Sequence, residues 1–168
     1  HPMPLATASR LRRAILSAVL ALAAAAALPG GAAAQSVDFR GVSYVSDFNA
    51  ACVADGWTGT ALFNLRYRPF GLGSNTDSRL AFFDRFYAAG YRLDGRRFDR
   101  TWRDVDAGQV GSSHWAYDAG TSQVRVTTHA PATLTDTTPQ IRLVGQIRGW
   151  GGVPGCIARF EATVLRQR

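Results

Sequence analysis

Ala61-Leu62-Phe63-Asn64-Leu65-Arg66-Tyr67-Arg68 is the stretch whose reading decides the fold. Successive side chains of an extended chain point to opposite faces, so Ala61, Phe63, Leu65 and Tyr67 share one side and Asn64, Arg66 and Arg68 the other. That is a half-buried strand. The alternation recurs further along. Val124 and Val126 oppose Gln123, Arg125 and Thr127, and Ile141, Leu143 and Ile147 oppose Arg142, Gln146 and Arg148. In the last segment Ala158, Phe160, Ala162 and Val164 oppose Arg159, Glu161 and Thr163. Sustained helical periodicity does not occur, so the chain reads as all-β.

Turn signals separate these runs: Asp94-Gly95, Asp118-Ala119-Gly120-Thr121 and the longer 71–77 loop, Gly71-Leu72-Gly73-Ser74-Asn75-Thr76-Asp77. Residues 80–91 are ambiguous. Leu80, Phe82 and Phe86 share a strand face with Asp84, while Phe82, Phe83, Phe86 and Tyr87 would also form a helical stripe. β-Propensity and the neighbouring Asp-Gly turn favour strand. Strands are therefore expected near 37–45, 58–68, 78–88, 98–103, 114–117, 122–129, 140–148 and 156–165. Seven to nine short antiparallel strands with Gly, Pro and Asp turns predict a β-sandwich, with a closed β-barrel as the alternative.

The amino-terminal part reads differently. Arg10, Arg12 and Arg13 precede an apolar run from Ala14 to Leu28, then Pro29-Gly30-Gly31 and Ala32-Ala33-Ala34. This is the pattern of a cleavable signal peptide, with the mature start near Gln35. About 15 apolar residues, mostly Ala, fall short of the roughly 20 a spanning helix needs. His1 and Pro2 read as a remnant ahead of Met3, so residues 1–34 are expected to be removed and 35–168 to form a single β-rich domain. Arg12-Arg13 loosely matches a twin-arginine signal, but Leu11 and Ile15 depart from it, which favours ordinary export. The expected location is periplasmic or secreted, with no transmembrane segment after signal cleavage.

Composition narrows the chemistry. All 19 basic residues are Arg; three lie in the signal, so the mature chain sets 16 Arg against 12 acidic residues, an excess of about +4. That mild excess does not indicate a nucleic-acid binder. The lack of Lys excludes a phosphate-loop lysine, a Schiff base and a Ser-Lys dyad, and the exclusive use of Arg fits a GC-rich, bacterial genome. Cys52 and Cys156, the two cysteines of an exported chain, are expected to form one long-range disulfide. Closing about 100 residues, it contributes roughly 4–5 kcal/mol in the chain-entropy model. Cys156 has the parity of Phe160 and Val164 and is expected to face the core.

Catalytic and metal motifs stay at background level. Ser112 or Ser113, His114 or His129, and Asp104 or Asp106 would supply the members of a hydrolytic triad, but no nucleophile elbow accompanies them. Asp47, Asn49 and Asp55, and likewise Asp104 and Asp106, lack the distal bidentate carboxylate of a calcium loop, so polar turns are the simpler reading and neither metal nor cofactor is expected.

Two segments stand out as candidate binding features. Between Arg92 and Asp106, five Arg with Phe98 and Trp102 interleaved would grip an anionic polymer or stack on sugar rings through Arg96, Arg97, Arg100 and Trp102. Four Asp in the same window favour a solvated hairpin with cross-strand Arg-Asp pairs. In Gly149-Trp150-Gly151-Gly152-Val153-Pro154-Gly155, Trp150 would be a ligand-stacking anchor at a loop tip or, as small sandwiches favour, would fold back over Cys156, with Trp57 in the same cluster. The sequence thus points to a non-enzymatic binding or structural module whose partner is an envelope protein or glycan. A periplasmic carrier of a small apolar ligand and a hydrolase with an unrecognised site are the alternatives.

Overall fold

A computed structural model of the chain describes residues 33–108 and 118–168. The apolar amino-terminal run, the strand expected at 114–117 and the candidates Ser112, Ser113 and His114 lie outside the described residues. The described strands are β1 (Phe39–Ser46), β2 (Ala61–Arg68), β3 (Asp77–Phe83), β4 (Ala88–Asp94), β5 (Arg103–Gly108), β6 (Asp118–Ala130), β7 (Gln140–Arg148) and β8 (Ile157–Arg166), with one short helix, α1 (Ala50–Ala54). Each strand pairs antiparallel with the next in sequence, and β8 returns to β1 with Phe39 opposite Arg166 and Ser46 opposite Arg159. The sheet is therefore a closed eight-stranded up-and-down barrel and not a sandwich. Closure removes both edges at once. Register shifts at Val105/Ala107 and Val126/Thr128 mark bulges, which add the local bend that helps a sheet to curl.

The expected facing holds strand by strand. Phe63, Leu65, Tyr67, Val124, Val126, Ile141, Leu143, Ile147, Ala158, Phe160, Ala162 and Val164 are all buried, and the opposing residues lie outward. The apolar interior differs from the polar lumen of a membrane-spanning barrel; on the outside Val42, Tyr44, Leu62 and Leu165 stand exposed beside the charged residues. No helix among the described residues is long and apolar enough to cross a membrane.

Two expected strands are corrected. The run 78–88 is two strands, β3 and β4, joined by a turn at Asp84-Arg85-Phe86-Tyr87. The Asp84 carboxylate accepts from the Phe86 and Tyr87 N–H groups at 2.7 Å each, so a capped turn forms without Gly or Pro. Phe86 consequently leaves the face of Leu80 and Phe82 and stands 89% exposed. The run 98–103 is mostly loop: Asp99 accepts from the Thr101 N–H, and β5 begins only at Arg103.

Up-and-down topology gives the barrel two ends. The lower end carries the loops 69–76, 95–102 and 131–139, whose Leu72, Phe98 and Leu134 are buried and seal it. The upper end carries α1, Trp57, the Asp84 turn and the 149–156 loop.

Candidate functional site

The upper end is built around the disulfide and Trp150. Cys52 and Cys156 are bonded, with Cα atoms 4.6 Å apart, and both are fully buried, as expected from the parity of Cys156 with Phe160 and Val164. Asn49 organises the same corner. Its side-chain oxygen accepts from Cys52 N–H at 3.3 Å, capping α1, and from Ile157 N–H at 3.0 Å, while its amide donates to the Gly155 carbonyl at 2.9 Å. One side chain thus ties α1 to the start of β8 beside the disulfide.

Trp150 is not at an exposed loop tip: its exposure is 0%. Gly149, Gly151 and Gly152 all take positive φ, which turns the chain tightly enough to deliver the indole inward. Its ring lies 5.3–5.6 Å from those of Trp57, Phe63, Phe82 and Tyr87 and 6.4 Å from Tyr91. Burial raises the Tyr87 hydroxyl to about 12 and holds that of Tyr91 well above its ordinary value, with the Gly151 backbone opposing in both cases. A Cβ on Gly151 would come 3.0 Å from Trp57 Nε1, so the loop is clamped on that side too. Trp57 joins this cluster as the sequence suggested. Six aromatic side chains among the described residues, Trp57, Phe63, Phe82, Tyr87, Tyr91 and Trp150, thus pack together in the upper interior.

His129 has a structural setting. Its Nδ1–H donates to the Pro131 carbonyl at 2.9 Å, which leaves Nε2 to accept from the Tyr67 hydroxyl at 3.2 Å. The bond joins β2 to β6, near the lower end. Burial lowers the His129 pKa and raises that of Tyr67, and the nearby Arg97 lowers both. Neither ring nitrogen faces a Ser or an Asp. Among the described residues no group of three His, Cys, Asp or Glu is placed to hold a metal.

The Arg-rich segment forms the loop between β4 and β5 together with its flanks. Its carboxylates are engaged. Arg92 bridges Asp106 at 2.7 Å and Asp94 at 3.3 Å, and Arg92 and Asp106 are cross-strand partners in the register, the pairing the charge pattern suggests. Asp99 pairs with Arg103 at 2.6 Å. Arg96 and Arg100 are exposed and form no ion pair among the described residues, and Arg97 donates from Nε to the Phe70 carbonyl at 2.8 Å. The loop backbone is held by Ser78, whose hydroxyl donates to Arg96 O at 2.8 Å and accepts from Phe70 N–H at 3.0 Å, and by the Val126 N–H to Asp99 O bond at 2.7 Å.

Trp102 sits on the outer wall, half-buried. The Arg125 guanidinium lies 4.6 Å from its ring centroid and that of Arg148 4.1 Å, an arrangement that alternation along single strands does not reveal. Arg125 also donates through Nε and Nη2 to Gln146 Oε1, and Arg148 donates to Gln123 Oε1 at 2.9 Å. The immediate partners of these two cations among the described residues are neutral amides, and Gln123 in turn donates from Nε2 to Asp104 Oδ1 at 2.7 Å, which places one carboxylate an amide away from Arg148. On the β1–β3 wall three arginines are matched by carboxylates instead: Arg66 and Arg68 by Asp38, and Arg79 by Asp77.

No protein-family model matches the chain, and no curated protein or solved structure matches it.

Proposed function

We propose that the chain is an exported, non-enzymatic binding module that works in the periplasm or outside the cell and meets an envelope protein or glycan with its surface. The observation that carries this reading is the burial of Trp150 among five aromatic rings, which occupies the space a carried ligand would need. An eight-stranded barrel has an interior just wide enough to be filled by side chains or to hold one small molecule, and here side chains take the upper half. The buried disulfide fits an oxidising compartment. The contact surface is the lower end, where Arg96 and Arg100 stand exposed on a loop fixed by Ser78 and Asp99, so little ordering opposes docking.

The test is charge reversal. Arg96→Glu/Arg100→Glu should lose co-sedimentation with envelope fractions while its melting curve matches the wild type. Unchanged co-sedimentation would remove the loop from the reading.

The carrier of a small apolar ligand stays as a second reading on one observation: Trp150 Nε1 and Ser43 Oγ are buried without a hydrogen-bond partner among the described residues. Native mass spectrometry distinguishes the two. A stoichiometric small molecule retained by the folded protein would favour the carrier.

A further inference from the structure

Several arginines on the surface of this barrel are paired with carboxylates. Arg66, Arg68, Arg79 and Arg92 face carboxylates at ion-pair distance, and on β7 and β8 Arg142 and Arg159 share Glu161. Such pairs cancel charge locally and contribute little to long-range attraction. Arg125 and Arg148 differ. Their hydrogen bonds go to the amide oxygens of Gln146 and Gln123, and their planes lie against Trp102. An amide or an indole orients a guanidinium without removing its charge. Each also leaves part of the five-donor fork uncommitted.

Register produces the arrangement. Arg125 lies opposite Gln146, and Gln123 opposite Arg148, in the β6–β7 ladder, so two cations sit diagonally with two amides between them. Trp102, at the end of the 95–102 loop, lies over both, and the exposed Arg100 is two residues before it.

We propose that the Arg125–Trp102–Arg148 wall, extended by Arg100, binds an anionic polysaccharide: a glycan chain bearing carboxylate or sulfate groups at intervals. This rests on the surface-binding reading above and names its ligand class. Polar and on the open outer face of the barrel, the wall suits an extended chain with spaced charges and not a single enclosed ion. The Gln146 amide nitrogen adds a donor for sugar hydroxyls, whereas that of Gln123 is engaged by Asp104. The mild excess of basic over acidic residues, about +4 outside the amino-terminal segment, disfavours nucleic acid.

Gln123 Nε2 donates to Asp104 Oδ1 at 2.7 Å, so Asp104→Asn accompanies the charge change and supplies the donor that Gln123→Glu removes. In that background Gln123→Glu/Gln146→Glu, the Glu double variant, places carboxylates where the amide oxygens stand and converts both arginines to the compensated kind, with Asp104→Asn alone as its reference. Its affinity for size-defined heparin and for polygalacturonate, measured by titration calorimetry at about 0.15 M salt, should fall at least about tenfold, because two counterion-releasing contacts are lost. Arg125→Gln/Arg148→Gln should lose as much, and wild-type binding should weaken with rising salt, while neutral dextran should bind to none of them. Retained affinity in the Glu double variant, with a melting temperature equal to or above that of its reference, would overturn the proposal. Should the Gln variant fail to fold, the Glu variant decides alone, since it retains both arginines. A DNA duplex or single strand bound more tightly than either glycan would overturn the ligand class. The Arg96→Glu/Arg100→Glu protein separates the two ideas: loss there with full binding in the Glu double variant assigns the contact to the loop and refutes the wall.

Discussion

Trp57 meets Trp150 edge-on, ring centroids 5.5 Å apart and planes at 74°, although 92 residues of chain separate them and only Trp150 is fully buried. Edge-to-face contact suits the positive rim and negative face of two aromatic rings. Trp57 follows α1 and Trp150 precedes Cys156, so the two indoles meet in the corner that the disulfide closes.

Truncating the inner indole should therefore be costly. Trp150→Ala is expected to destabilise the fold by about 3–5 kcal/mol in urea unfolding. Trp150→Phe should cost clearly less, since it keeps an aromatic ring and removes an N–H buried without a partner. An Ala variant within about 1 kcal/mol of wild type would mean that the upper interior is not a packed core.

The disulfide and Asn49 act on the same junction by different means. Replacing Cys52 and Cys156 by Ala releases a loop with a sequence separation of 104 and should cost on the order of 4–5 kcal/mol. Asn49→Ala removes a helix cap and two bonds to the start of β8, with an expected loss of about 1–2 kcal/mol. Because the two sites touch one junction, the losses should not add. A double-mutant cycle by chemical denaturation measures the coupling, and strict additivity would mean the clamp and the bond are independent.

Two groups give stability a dependence on pH in separate windows. Burial alone would raise Asp38, but hydrogen bonds from Arg66 and Arg68 outweigh it and hold the carboxyl below its ordinary value. A depressed carboxylate contributes stability that is present above its unfolded pKa, about 3.9, and lost as pH falls through the folded value. Burial lowers His129, with Arg97 adding to it and the bond to Pro131 opposing. An imidazole held neutral in the fold binds its proton more readily when unfolded, so stability is full above about pH 6.5 and declines as pH drops towards the folded value. Melting temperatures followed from about pH 8 to about pH 2 should fall in two stages. His129→Gln should flatten the first and Asp38→Asn the second; a variant that leaves its own window unchanged would refute the corresponding assignment.

Gly145 lies in β7 where there is no space for a side chain. A Cβ there would stand 2.5 Å from Phe160 Cζ and from the Arg125 carbonyl oxygen. Gly145→Ala is expected to cost about 1–3 kcal/mol through overpacking, read as a lower denaturation midpoint. Phe160→Leu in the same protein should recover part of the loss if the clash with the ring is its cause.

Much of this barrel is legible along the chain because burial of a strand is a local property of period two. Phe63, Leu65 and Tyr67, or Phe160, Ala162 and Val164, announce their inward face by alternation alone, and the parity of Cys156 with Phe160 places it in the core. The turn at Asp84 is harder to read, since a carboxylate hydrogen bond and not a Gly or Pro makes it, and four aromatic residues around it imitate a continuing element. The candidate wall is harder still: Trp102 stands out in sequence, but Arg125 and Arg148 look there like ordinary outward residues of two separate strands.

The sequence by itself determined an all-β chain, the inward residues of its main strands and the pairing of its two cysteines, because each follows from alternation or from elimination. Tertiary structure decided that the sheet closes and that the favoured inward setting of Trp150 is the one adopted, and it alone brought Arg125 and Arg148 onto Gln146, Gln123 and Trp102. Alternation says which side of a strand is buried and nothing about which strand lies beside it. The pairing of β8 with β1 and the register of β6 on β7 are set by the whole barrel, and they determine which surface charges remain uncancelled.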